Sequence, residues 1–546
     1  MALQREANGS NGNRLVPLNG LVSALLTDMY QITMSYAYWR AGRHEEHAVF
    51  DLFFRKCPFK GQFTVFAGLS EVIALVRSFS FSAGDIAYLR SVLPDCEDGF
   101  FTWLGDLDCK DIRLYALAEG TICFPRVPLV RVEGPLAVAQ LLETPLLNLI
   151  NYPSLVTTLA ARLRVAAGPE KNLLEFGLRR AQGPDGALSA SRYSYIGGFN
   201  GTSNVLAGKL IGIQVRGTHA HAFVQSYTSF DQIKDPSLNG KDFVAMVKDY
   251  RERLGFKSSS SDSELAAFTA YAQAFPGGFL ALVDTYDTLQ SGVPNFLCVA
   301  LALDDLGHRA LGCRLDSGDL SYLSQEVRAM VTKVSETFGR AFLATTNIVA
   351  SNDINEESLH SLADQGHSID TFGIGTNLVT CQTQPALGCV YKLVSIEEMP
   401  RIKLSQATSK ITIPGRKWVY RLLGSDGVPI LDIMLKGGEK PPQPGVPILA
   451  RQEKLHPFVA TKRARVTPSH VVALHKLVWD GQNGGSTSTL PTISEVRATV
   501  ARGLAEIRPD TLQRLNPTPY KVSLSEGLYE FLHSLWEKEA PIRELS

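Results

Sequence analysis

Five times between residues 211 and 376, a run of apolar residues stops at a Gly-rich or charged group. Ile211–Val215 precedes Gly-Thr-His-Ala-His, and Phe279–Val283 precedes Asp284-Thr-Tyr-Asp287. Asn295–Leu303 and Ala310–Leu315 lead into Arg314 and Asp316-Ser-Gly-Asp319. Ala341–Ala350 precedes Ser351-Asn-Asp353, and Ile369–Phe372 precedes Gly373-Ile-Gly-Thr376. Strands that are apolar throughout, with helices between them, indicate a parallel sheet covered on both faces. One such helix is readable in detail: Leu320, Leu323, Val327, Met330, Val331, Val334 and Phe338 recur at three-four spacing and form one stripe. Asp353-Ile-Asn-Glu356 has the form of a capping box at the next helix start. The polar endings then share one face, the carboxyl end of the sheet, where α/β barrels carry their chemistry. An open doubly wound sheet gives the same face and stands as the alternative.

A chain of 546 residues with 45% apolar composition is too long for one core and divides into two or three units. Lys plus Arg and Asp plus Glu are both 54, so no bulk charge draws the chain to nucleic acid or an anionic membrane. The eight cysteines form no C-x-x-C pair, which reads as reduced thiols in the cytosol. MALQREANGSNGNRL lacks the apolar core of a signal peptide, and no run of about 18 apolar residues is present to span a membrane. Residues 1–18 read as disordered; 257–263, 436–447 and 480–488 read as surface loops.

Several polar residues have two readings. Gly373-x-Gly375-Thr376 is either a tight turn or a loop whose amides approach a phosphate. Asp319 suits a helix cap; Asp316, nearer the strand end beside Arg314, suits contact with a sugar or with Mg²⁺ through water. His219 and His221, two apart, point the same way on an extended segment. They are a metal pair without an evident third ligand, structural histidines, or a nucleophile or phosphate contact. Arg162, Arg164, Arg179 and Arg180 are either solvated or a phosphate-binding group, for which a planar guanidinium is suited.

These pieces lie in seven motifs: LLTDMYQITM (25–34), LLEFGLRRAQGPDG (173–186), YIGGFNGTSN (195–204), GTHAHAF (217–223), CRLDSGDL (313–320), SNDINEE (351–357) and TFGIGTNLVTCQTQPALGCVYKL (371–393). In that order they resemble the nicotinate phosphoribosyltransferase family, its eukaryotic cytosolic form above all. The resemblance implies an irregular α/β barrel of the type II phosphoribosyltransferases over 156–400. An additional α+β domain would be built from 19–155 and completed by 401–546. It implies a homodimer that makes nicotinate mononucleotide and pyrophosphate from nicotinate and 5-phosphoribosyl 1-pyrophosphate, coupled to ATP hydrolysis and Mg²⁺ or Mn²⁺. The metal ligands stay unassigned.

Carried over by motif, Tyr30 is similar to the tyrosine that reaches the pyridine ring from the partner subunit, and Phe176 to its stacking partner. Arg179 resembles a phosphate-holding arginine, and Arg55 in FFRKCP a further phosphate contact. Arg314 resembles the arginine near the nicotinate carboxylate and pyrophosphate, Asp316 the ribose-facing acid, and Thr218 a nicotinate contact. Gly375 and Thr376 resemble the 5-phosphate cradle, and His221 the phosphorylated histidine. Ser203 stands where the nicotinamide-using relative has an aspartate; a serine hydroxyl donates to a carboxylate, whereas an aspartate repels it. His219, Asn352 and Asp353 receive no role. A nicotinamide-using enzyme and a non-catalytic metabolite sensor are the alternatives.

Overall fold

The computed structural model describes residues 18–256, 259–405, 407–452, 462–487 and 489–540. The expected disordered segment 1–18 therefore lies, apart from Leu18, outside the described residues. Two compact units form: Ala160–Gln382, and Met1–Leu159 together with Thr383–Ser546.

In Ala160–Gln382 six strands form one sheet: β1 (Asn172–Glu175), β2 (Gly201–Thr202), β3 (Leu280–Leu282), β4 (Gly312–Leu315), β5 (Asn347–Ala350) and β6 (Thr371–Ile374). Every pairing is parallel and the order across the sheet is β3-β4-β5-β6-β1-β2. A doubly wound sheet reverses its order at a switch point. Here the order is a cyclic permutation of the chain order, which is the winding of a barrel. The irregularity sits between β2 and β3, where no strand ladder forms. Instead, Thr202 N donates to Gln214 O at 3.1 Å and Arg216 N to Thr202 O at 2.9 Å. Three residues beyond Arg216, the His219 ring accepts from Leu282 N at 3.2 Å. One irregular segment thus bonds to both edges of the sheet.

The strands are shorter than the apolar runs suggest. Ile211 closes the helix Val205–Ile211, and Val215 makes only an isolated bridge to Thr202. Residues 341–346 belong to the approach to β5, which begins at Asn347. Asn295–Leu303 lies in the helix Val293–Asp304, buried along its whole length; a helix buried on all sides carries no stripe by which to tell it from a strand. The stripe from Leu320 does form a helix, Leu320–Phe338, burying Leu320, Val327, Val331 and Val334. The capping box lies later than expected. Asp353 has φ 45°, in the left-handed region, and Asn355 caps Glu356–Gln365 reciprocally with Ser358. Of the expected loop 257–263, residues 257 and 258 lie outside the described residues, and Ser261 already caps the helix Asp262–Ala274.

The other unit holds a seven-stranded and a six-stranded sheet. In the first, Cys389–Ile396 pairs antiparallel with His47–Phe54, and Lys476–Asp480 with Arg113–Ala116, so distant parts of the chain share one ladder. This moves the carboxyl boundary of the central unit from 400 to Gln382: the chain from Cys389 is a strand beside His47–Phe54. On the amino side the central unit begins at Ala160 rather than 156. The buried pair Asp51–Lys417, 2.7 Å apart, joins the two sheets, with the Lys417 ammonium also donating to the Ile413 and Gly415 carbonyls.

Candidate active site

The carboxyl ends of β1 to β6 bring most of the singled-out side chains of the central unit into one connected group. Asp316, just past β4, accepts from Ser351 Oγ, just past β5, at 2.6 Å. His221 Nε2 lies 3.8 Å from Asp316 Oδ2 and 4.0 Å from Asp284 Oδ1, while Nδ1 shares a hydrogen bond with Thr285 Oγ1 at 3.1 Å. Asp284 Oδ2 accepts from the Asp316 amide at 3.2 Å and from Ser317 Oγ at 2.6 Å. Its other oxygen is buried and has no hydrogen-bond partner among the described residues. Asp284, Thr285 and Ser351 are the site residues that sequence reasoning left without a role. The signal for Asp284 was its place, one strand earlier, equivalent to that of Asp316.

Arg314 donates to Thr218 Oγ1 at 3.1 Å and to the His219 carbonyl at 3.3 Å. Burial pulls its pKa down, Asp316 and Asp284 oppose that pull, and Arg179 reinforces it. Two guanidiniums close enough to repel make a place for an anion. Arg179 is exposed on the turn Leu178–Arg180 and makes no hydrogen bond among the described residues. Arg162 and Arg164 are structural. Arg162 makes a two-pronged pair with Glu356, both bonds 2.8 Å, and Arg164 ties together the carbonyls of Gly168, Lys171 and Gly198.

The Phe176 ring lies over Gly373: a Cβ there would stand against ring Cδ2, 2.5 Å from Cε2 and 3.2 Å from Ser351 Cβ. Phe176 N continues the ladder to Ile374 O at 2.8 Å. Gly375 caps the short helix Thr376–Thr380, with Thr376 exposed at its start. Ser203 is held through its amide by the Glu175 carbonyl at 2.9 Å, and its hydroxyl has no partner among the described residues.

The two histidines do not act as a pair. His221 opens the helix His221–Gln225, so the segment is not extended through both. His219 turns inward against Phe223, Phe268 and Tyr271. Burial, then Arg314 and His221, push its pKa down to about 4, so its ring is neutral and free to accept from Leu282 N. Asp319 is a helix cap, accepting from Tyr322 N at 3.0 Å. Among the described residues no group of three or more His, Cys, Asp or Glu side chains is placed to hold a metal ion. The Asp284 and Asp316 carboxylates are the pair able to share one with a phosphate ligand.

Tyr30 and Arg55 belong to the other unit. Tyr30 is 48% exposed on the helix Met29–Arg40. Arg55 follows His47–Phe54; burial and the charge of Arg126 lower its pKa, and its Nε has no hydrogen-bond partner among the described residues.

Wound in this order, with its polar groups gathered at the carboxyl ends of the strands, the central unit is that of a barrel-type α/β enzyme. Residues 172–417 match the nicotinate phosphoribosyltransferase (NAPRTase) family, 25–151 its N-terminal domain and 416–532 its C-terminal domain. The chain belongs to the nicotinate phosphoribosyltransferase family. It is 51% identical to nicotinate phosphoribosyltransferase 1 of Arabidopsis thaliana over the whole of both chains. It is 53% identical to the nicotinate phosphoribosyltransferase of Dictyostelium discoideum, over 98% of this chain and 91% of that one. The crystal structure of human nicotinic acid phosphoribosyltransferase superposes with a TM-score of 0.83 at 44% identity, over 93% of this chain and 99% of that one.

Proposed function

We propose that the chain joins nicotinate to 5-phosphoribosyl 1-pyrophosphate, giving nicotinate mononucleotide and pyrophosphate with coupled ATP hydrolysis. The observation that carries this is the placing of His221 within 4.0 Å of both Asp284 and Asp316, with Arg314 on β4, the strand that Asp316 follows. The pyridine nitrogen supplies its lone pair to ribose C1 as the C1–O bond to pyrophosphate breaks, so no proton need move. Positive charge that develops at C1 is met by the Asp316 carboxylate, a placed charge worth on the order of 3 kcal/mol. Arg314 and Arg179 steady the anions, and Phe176 stacks on the ring, holding its nitrogen near C1. Asp284 Oδ1, buried with no hydrogen bond among the described residues, supports its holding Mg²⁺ or Mn²⁺ together with Asp316. Held by these two carboxylates, such an ion would supply positive charge to offset that of the leaving pyrophosphate. ATP phosphorylates His221, and the added charge favours the substrate-binding state until hydrolysis removes it.

Ser203, with its hydroxyl unengaged, favours nicotinate over nicotinamide. Arg55 gains support as a phosphate contact from the like charges of Arg126 and Lys392 beside it. Leu21 and Met29, exposed along with Tyr30, support a homodimer in which Tyr30 reaches the partner's ring. No helix among the described residues is long and apolar enough to cross a membrane. The eight free cysteines support a cytosolic location.

The test is pyrophosphate release with nicotinate, nicotinamide and quinolinate, each with and without ATP. Turnover of nicotinate, raised by ATP, is expected. Turnover of nicotinamide alone overturns the substrate, and tight binding without turnover makes the chain a sensor.

A further inference from the structure

Glu175 is 1% exposed, has no cationic partner among the described residues, and bonds to the segments that carry two of the proposed substrate contacts. Its Oε1 accepts from the Gly177 amide, in the turn that carries Phe176 and Arg179. Its Oε2 accepts from Thr202 Oγ1 and, at 2.8 Å, from Ser191 Oγ. Both hydroxyls in turn accept from Asn204: Thr202 Oγ1 from the backbone amide at 3.0 Å and Ser191 Oγ from Nδ2 at 3.2 Å. Ser203 lies between Thr202 and Asn204, and its amide donates to the Glu175 carbonyl. One carboxylate therefore holds the Phe176 turn with one oxygen and the Ser203 loop with the other.

We infer that Glu175 is a positioning residue that sets the distance between the Phe176 ring and the Ser203 hydroxyl, and thereby the preference for a ring carboxylate over a ring carboxamide. The inference rests on the nicotinate reading above. Only a group accepting on both sides keeps the Gly177, Thr202 and Ser191 bonds to this one side chain. A glutamine of the same size turns its amide either toward the Gly177 N–H, donor against donor, or toward Thr202 and Ser191, whose hydroxyls then lose the carboxylate and fall back on weaker acceptors, Ser191 Oγ on the Ala187 carbonyl at 3.0 Å and Thr202 Oγ1 on Ser191 Oγ at 3.3 Å.

The test is Glu175→Gln in the full-length protein, with KM for both substrates, kcat/KM for nicotinate and for nicotinamide, and the melting temperature. KM for nicotinate should rise about tenfold, the loss of one charge-assisted hydrogen bond. The nicotinate-to-nicotinamide ratio of kcat/KM should fall by a similar factor, and KM for 5-phosphoribosyl 1-pyrophosphate should stay within about twofold. Glu175→Asp, which accepts on both sides with a shorter reach, should recover part of the ratio. Equal change in both KM values, or an unchanged ratio in a folded variant, overturns the inference. Should Glu175→Gln not fold, Ser191→Ala, on the helix Gly183–Ile196, removes one donor and should shift the ratio in the same direction by about threefold; no shift there also overturns it. Absence of nicotinate turnover in the wild type instead refutes the nicotinate reading.

Discussion

Gly373→Ala tests whether Phe176 is the stacking residue. A Cβ at this position stands against ring Cδ2 and 2.5 Å from Cε2, whereas carbon atoms in ordinary contact lie at about 3.5 Å or more, so something must move by about 1 Å. The β6 backbone cannot be what moves. It is buried and paired on both sides, with Phe372 against Ala350 and Gly373 against Leu174. The half-buried Phe176 ring can. Ser351, whose Cβ is 3.2 Å away, yields by a few tenths of an ångström and strains its bond to Asp316. Mispositioning by 1 Å in an active site costs up to about 100-fold, and loss of ring stacking alone about 3- to 10-fold. Steady-state pyrophosphate release should therefore show kcat/KM for nicotinate down by about 10- to 100-fold. The melting temperature should fall by no more than about 3 °C, because a side chain rather than the core absorbs the clash. Retention of kcat/KM within about twofold would refute the stacking role. A large drop in melting temperature with intact kcat/KM would show that the strand, not the ring, had moved.

Glu264→Gln should change how stability depends on pH. Burial, reinforced by Asp284 and Asp287 and opposed by hydrogen bonds from Ser291 and Asn295, pushes this carboxyl from 4.5 up to about 7. Between those values the folded chain keeps a proton that the unfolded chain has lost, so stability falls as pH rises, by on the order of 3 kcal/mol in all. The melting temperature of the variant should thus gain on the wild type between about pH 5 and pH 8, and a constant gap would contradict the assignment. His219 works from the acid side: neutral when folded down to about 4, against an ordinary 6.5, it costs stability as pH falls through that window. His219→Phe should flatten the acid limb of the melting curve while losing about 1 kcal/mol at neutral pH through the Leu282 amide it leaves unpaired. Asp284→Asn keeps an acceptor for Ser317 and the Asp316 amide, so it should fold but need about tenfold more Mg²⁺ for half-maximal rate; an unchanged Mg²⁺ titration would place the metal elsewhere.

The parallel sheet and its chemical face were legible because β4 to β6 lie in largely apolar runs, Arg314, Asn347 and Thr371 apart, that end in polar residues. β1 and β2 were not, although they carry Phe176 and Ser203. β1 is as long as β4 to β6, but only Leu173 and Leu174 of its four residues are apolar, and β2 is two residues long, too short for a pattern to be read. Nor could the sequence give the end of the central unit, since the pairing of Cys389–Ile396 with His47–Phe54 joins residues more than 300 positions apart.

The acids show most clearly where local sequence stops being informative. Asp284 and Asp287 are three apart after β3, and Asp316 and Asp319 are three apart after β4. In each pair the second caps the next helical turn: Asp287 accepts from Gln290 N at 2.7 Å and Asp319 from Tyr322 N at 3.0 Å. In each pair the first approaches His221. By charge and side chain the four are alike, and propensity favours all of them at helix starts. What separates them is distance along the chain. A residue one or two beyond a strand still faces the crevice at the carboxyl end of the sheet. Three residues further on, the chain has turned, and the same side chain closes on its own backbone. Ser351 and Asn355 after β5 repeat the division at a spacing of four, Ser351 bonding Asp316 and Asn355 capping Glu356–Gln365. Function in this site is therefore set by how soon after its strand a polar residue comes, a quantity that becomes readable once the strand ends are known.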